Sequence, residues 1–150
     1  MIDKRWIGHA MPAFDVLVEA GRLRFFAKAT GQIDPIYTDL SAAQSAGHPS
    51  LPVPPTFFFC LEFEAPDPAA IRTLLGIDYR RLLHAEQRFS YHAMAYAGDT
   101  LRFEQRIEDI YEKKGGALDF VLRCTRVSNQ RQQLVAELRN LIVVRNNTED

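Results

Sequence analysis

The sequence predicts an α+β domain in which a long antiparallel sheet wraps around one central apolar helix. Two observations carry that expectation. The stretch TFFFCLEFE (56–64) is apolar nearly all round, the pattern of a helix sunk in the middle of a fold. The second half of the chain is strand and turn, with alternating runs and a Gly115-Gly116 hairpin between two of them. The chain has 150 residues, 47% hydrophobic and 25% charged, enough to bury one core. Residues 1–150 are expected to form a single domain.

Each element follows from local signals. Residues 14–18 read as a short strand, with Gly21 as a turn. Residues 22–30 have helical spacing, with Leu23, Phe26 and Ala27 on one face and Gly31 able to end the helix. Asp39 or Ser41 can cap a short helix running through Ala46 and closed by Gly47. HPSLPVPP (48–55) cannot be helix interior, because proline lacks the N–H and clashes with the preceding turn. Phenylalanine is also common in strands, so a buried strand is the rival reading for 56–64. The Pro-Pro-Thr step favours a helix start, with a proline in the first turn. A further short helix covers 67–75 and ends at Gly76.

Residues 82–97 read as one long strand ending at Gly98-Asp99. In 101–112, Leu101, Phe103 and Ile107 point one way, and Arg102, Glu104, Arg106 and Glu108 the other, as in a half-buried antiparallel strand. Leu118, Phe120, Leu122 and Cys124 line one face of the next strand, expected to be the face that wraps the helix. SNQRQ (128–132) is a turn. Leu134, Ala136, Leu138, Ile142 and Val144 line one face of the last strand, with Asn140 as a polar intruder. NNTED (146–150) is expected to fray.

A net charge of -1, with Lys and Arg spread along the chain, argues against nucleic acid as the main partner. No apolar run is long enough to cross a bilayer, and MIDKRWIGHAMP has no signal-peptide core, so the expected compartment is the cytoplasm. Cys60 and Cys124 lie in apolar stretches and are expected to be buried free thiols. There is no CxxC, HExxH or Gly-rich phosphate loop, so neither metal nor cofactor is expected.

Three stretches carry a family likeness: RFFAKATGQIDPIYTDLSAAQSAG (24–47) followed by LPVPPTF (51–57), LLHAEQRFSYHAMAYAGDTL (82–101), and YEKKGGALDF (111–120). On these the chain resembles the N-terminal-type, accessory hot-dog domain of MaoC-like acyl-thioester hydratases and dehydratases. The resemblance implies a hot-dog fold that dimerises through its sheet edge, with the acyl pocket at the seam. In catalytic members the first loop resembles Thr-Gly-Asp-x-Asn-Pro-x-His. Its Asp and His work on water, and a Pro-Gly step at the central helix supplies a backbone donor to the thioester oxygen. This chain has Gln32 for that Asp, Asp34 for the Asn, Tyr37 for the His and Pro55 for the Gly.

The resemblance therefore implies an accessory, tunnel-forming subunit of a (3R)-hydroxyacyl-thioester dehydratase or 2-enoyl-thioester hydratase. A partner hot-dog chain would supply the Asp and His. The ligand would be an acyl-CoA or an acyl-carrier-protein thioester, and a homodimer would form when the chain is alone. Pro55, Thr56, Phe57, Cys60 and His84 are the expected substrate-binding residues; Gln32, Asp34 and Tyr37 are a degenerate catalytic loop. Asp34 is favoured as a turn residue before Pro35 over a displaced base. Phe57, Phe58, Phe59 and Phe63 are core first, pocket floor second. Cys60 is expected to be inert. His84 and His92, eight residues apart, should share a strand face. They would lie too far apart to bind one metal, and both are expected to be structural. A loop histidine such as His48 is expected to be solvated. Arg80, Arg81 and Arg88 form a solvated rim or meet the phosphates of coenzyme A or an acidic carrier protein.

Two other classes stay open at this stage. One is a self-sufficient enzyme: a homodimeric hydratase using Asp34 with His48 or His84, or a hot-dog thioesterase using Glu62 or Glu64. The other is a non-enzymatic acyl-CoA-binding module.

Overall fold

Alternation in the second half of the chain produces four long strands, and a fifth short one joins them in a single sheet. The computed structural model describes residues 1–146. The strands are β1 (Phe14–Leu17), β2 (Leu82–Tyr91), β3 (Thr100–Lys113), β4 (Leu118–Ser128) and β5 (Leu134–Arg145), in the order β1-β3-β4-β5-β2. Every pairing is antiparallel. Four helices, α1 (Ala20–Thr30), α2 (Leu40–Ser45), α3 (Phe57–Glu62) and α4 (Ala70–Leu74), complete the α+β plan. No helix among the described residues is long and apolar enough to cross a membrane.

α1 buries Leu23 and Ala27 and ends on Gly31, whose φ of 69° is left-handed. Its N–H reaches back to Ala27 and Lys28, closing the last turn as C-terminal glycines do. Asp39 caps α2, its Oδ1 accepting from Ala42 N at 2.9 Å. The β3–β4 turn needs three consecutive left-handed residues, Lys114, Gly115 and Gly116, and two of them are glycine. Phe57, Phe58 and Leu61 of α3 pack with Leu101, Phe103, Val127 and Leu138 of the sheet. A second cluster joins Ile71 and Leu75 of the α4 segment to Ile107, Ile110, Val121 and Val144.

Several expectations are corrected. Gly21 is not a turn but lies inside α1. Both prolines of the Pro-Pro-Thr step precede α3, whose N-cap is Thr56, so no proline occupies the first turn. α3 is short, and its polarity is the reverse of a helix apolar all round: Glu62 is buried while Phe63 is 51% exposed. The strand read as 82–97 stops at Tyr91. The chain then leaves the sheet to pair with the proline segment, Val53 N donating to Ala95 O and Ala97 N to Leu51 O.

Bulges shift the phase of three strands. The β3 bulge at Glu108 hands the inward position to Ile110 after Ile107. The β2 bulge at Ala85 breaks the even spacing, so His84 and His92 do not share a face. His84 stands on the inner row, opposite Ile142, whereas His92 lies beyond β2 and meets Glu137 at 3.1 Å. A slip at the start of β5 displaces Leu134 from the row that runs through Ala136, Leu138, Asn140, Ile142 and Val144.

The face of β4 is the largest correction. Its helix-facing row is Asp119, Val121, Arg123, Thr125 and Val127, read from the register with β5 and from the contacts of α3. Leu118, Phe120, Leu122 and Cys124 do share a face, but it is the outer one, where Phe120 stacks on Tyr111. The expected frayed tail begins at Asn146, which is held by two bonds to the β3–β4 turn; residues 147–150 lie outside the described residues.

Candidate functional site

Where α1 and α3 lie over the edge strand β2, the sheet is not filled. A cavity of about 590 Å³ opens there, lined by Phe26, Thr56, Phe59, Cys60, Phe89 and Asn140, with residues 84–87 of β2 as its outer wall. The lining is mostly apolar with a few polar groups, the usual make-up of a small-molecule site. A smaller chamber of about 180 Å³ continues beneath α4. The two share Phe59, His84 and Asn140, and the inner one adds Phe63, Arg72, Tyr79, Leu82 and Arg123.

Thr56, Cys60 and His84 of the expected binding set line the larger cavity; Pro55 and Phe57 do not. Phe57 is buried instead, packed on Phe26 with ring centroids 4.8 Å apart and beneath the Arg22 guanidinium. Pro55 sits exposed one residue before the N-cap Thr56. A proline there brings no N–H to the start of α3. Burial pushes the Cys60 thiol above its ordinary range, with Arg22 opposing weakly. The thiol is therefore protonated at neutral pH and is a poor nucleophile.

The loop that resembles a catalytic loop closes on itself. The Gln32 side-chain oxygen accepts from Asp34 N at 3.0 Å. Asp34 Oδ1 accepts from Ile36 N at 3.1 Å, capping the 3-10 turn Pro35–Tyr37. Neither residue lines the cavity, nor does Tyr37. His48 lies 3.4 Å from the Tyr96 hydroxyl and also stands apart from it. Of the three rim arginines, Arg80 is paired with Asp78, whose carboxyl it holds down to about 2, and Arg88 is paired with Glu86. Arg81 has a buried Nε without a partner.

Glu62, read from the sequence as a possible thioesterase carboxylate, is instead buried under α3 and held by partners the sequence did not reveal. Glu62, only 4% exposed, accepts from Gln105 Nε2 at 3.0 Å, from an Arg123 guanidinium nitrogen at 2.9 Å, and from the Thr125 hydroxyl. Three donors from β3 and β4 thus hold the end of the central helix to the sheet. The signal was the parity of β4, which places Arg123 and Thr125 on the helix side.

A sheet wrapped on a central helix, with an apolar cleft between that helix and the edge strand β2, defines a hot-dog domain. The chain belongs to the family described as FAS1-like, dehydratase domain region, which matches residues 5–138. A UPF0336 protein of Saccharopolyspora erythraea is 32% identical over 99% of this chain and 95% of its own length. Another, from Streptomyces coelicolor, is 39% identical over 76% of this chain and 77% of its own.

The fold is shared with the HadBC (3R-hydroxyacyl-ACP dehydratase) complex of Mycobacterium tuberculosis, at TM-score 0.77 and 24% identity over 92% of this chain and 96% of that one. It is shared too with the ChsH1-ChsH2 complex of the same organism, at TM-score 0.76 and 19% identity over 93% and 90%. A MaoC-like dehydratase gives a TM-score of 0.80 at 21% identity, over 94% of this chain and 42% of that one.

Proposed function

We propose that this chain is the accessory, substrate-tunnel subunit of a (3R)-hydroxyacyl-thioester dehydratase or 2-enoyl-thioester hydratase, and that a second hot-dog chain supplies the acid and base. One observation supports the reading: an acyl-sized apolar cavity is present, and none of the loop residues Gln32, Asp34 and Tyr37 lines it. Adding water to an enoyl thioester needs a base for the water proton, an acid for the α-carbon and a donor for the thioester oxygen. Gln32 and Tyr37 offer neither base near neutral pH, Asp34 is engaged as a turn cap, and Pro55 removes the backbone donor.

The free edge supports a partner. β2 pairs with β5 on one side alone, leaving a ten-residue edge of backbone donors and acceptors. The same strand forms the outer wall of the cavity at residues 84–87. A partner strand added there would satisfy the edge and complete the wall in one step. HadBC and ChsH1-ChsH2, both complexes by name, are consistent with such pairing. In this reading residues 1–150 act as one domain, and the thioester is carried by coenzyme A or an acyl carrier protein.

Co-expression with a MaoC-like catalytic chain encoded beside this one tests the reading. The purified pair should hydrate an enoyl-CoA, the activity should vanish when the partner's loop Asp is changed to Asn, and Asp34→Ala in this chain should leave it within about twofold. A pair that loses turnover with Asp34→Ala but not with the partner's variant would overturn the assignment.

A further inference from the structure

The inner face of the sheet carries a polar row where a chamber for a plain hydrocarbon needs none. Gln87, Asn140 and Arg123 are successive cross-strand partners on β2, β5 and β4. They stand in a line from the free edge into the fold, about 4.8 Å per strand. Asn140 Nδ2 donates to Gln87 Oε1 at 3.0 Å, and the Arg123 guanidinium donates to Glu62 at 2.9 Å. Glu62 takes two donors on Oε1 and one on Oε2 and lines neither chamber, so it is not offered to an occupant.

Hydrogen-bonding capacity is left over on the other two residues. Arg123 Nε is buried without an acceptor, and Asn140 Oδ1 accepts from no group among the described residues. Both residues line the inner chamber, Asn140 lines the outer one as well, and no carboxylate lines the inner chamber. Holding α3 to the sheet explains Glu62, Gln105 and Thr125. It does not explain Asn140, which hydrogen-bonds to Gln87 and not to these residues and is 6% exposed. Unmet polar capacity of this kind, buried at Arg123 Nε and accessible at Asn140 Oδ1, disfavours an apolar occupant and favours one that satisfies it.

We propose that the tunnel takes an acyl chain carrying an oxygen substituent part-way along, a hydroxyl or a keto group, in preference to a plain saturated chain. A hydroxyl would donate to Asn140 Oδ1 and accept from Arg123; a keto oxygen would accept from Arg123. The shared chemistry is an acyl oxygen remote from the thioester. This inference rests on the acyl-thioester reading above.

The test is calorimetric titration of the purified chain with dodecanoyl-CoA and with a panel bearing one hydroxyl at successive positions along the same chain. At the matching position the hydroxylated probe should bind on the order of tenfold more tightly than the plain one. Asn140→Leu, which leaves the Glu62 cluster intact, should bring the two within about threefold. If that variant does not fold, the wild-type panel alone decides. A wild-type chain that binds plain dodecanoyl-CoA as tightly as every hydroxylated probe would overturn the inference and leave the acyl-thioester reading standing. Binding of no probe at all, by the chain alone and by the co-expressed pair, would overturn the acyl-thioester reading, and the inference with it.

Discussion

Glu62→Ala should cost about 3–5 kcal/mol of stability, the loss typical when one partner of a buried ion pair is removed. The variant strands the Arg123 guanidinium beneath α3 and leaves the Gln105 amide and the Thr125 hydroxyl without their acceptor. The Arg123 side chain is 19% exposed, so some rehydration relieves its charge and places the loss in the lower half of that range. At roughly 2–4 °C per kcal/mol for a chain of this size, the midpoint should fall by about 6–16 °C. Replacing both partners, Glu62→Leu with Arg123→Met, should recover most of that loss, because an apolar pair of similar volume removes the stranded charge. Thermal unfolding followed by circular dichroism measures both. A drop under about 1 kcal/mol for Glu62→Ala would show that the cluster does not hold the helix to the sheet.

Cys60→Trp should abolish acyl binding while leaving the fold in place. Cys60 is half-buried on α3 and faces the larger cavity. An indole there fills space that an acyl chain would occupy. Losing burial of four methylenes at about 0.8 kcal/mol each removes about 3 kcal/mol, or roughly two powers of ten in Kd. Overpacking should cost about 1–3 kcal/mol of stability, so circular dichroism must confirm a folded variant before binding is read. Acyl-CoA affinity unchanged in the folded variant would place the acyl chain elsewhere.

Much of the fold was legible because its signals are local. Gly31 and Asp39 mark helix ends by backbone chemistry that any fold must respect, and both do so here. The β3 alternation and the Gly115-Gly116 turn likewise follow from chain geometry. Facing was less legible. The outer row of β4, Leu118, Phe120, Leu122 and Cys124, is more apolar than the row that meets the helix, so amphipathicity alone selects the wrong side. Bulges at Ala85 and Glu108 reset strand phase without any sequence signal as strong as a Pro or Gly.

The candidate site was half legible. Thr56, Cys60 and His84, three of the residues expected to bind substrate, line the cavity, whereas Phe57 packs on Phe26 in the core. The Glu62–Arg123 pair could not be read, because it forms between residues 61 positions apart that meet only once α3 lies on the sheet.

The most direct test is hydration of a short enoyl-CoA by the purified chain alone, at high enzyme concentration. The account predicts no turnover above background, since the loop's one carboxylate, Asp34, is committed to the Ile36 cap, Tyr37 stands in place of an imidazole, and Pro55 brings no N–H to the start of α3. Clear turnover lost on Asp34→Ala would contradict it, showing that Asp34 leaves its cap on Ile36 to act as the base.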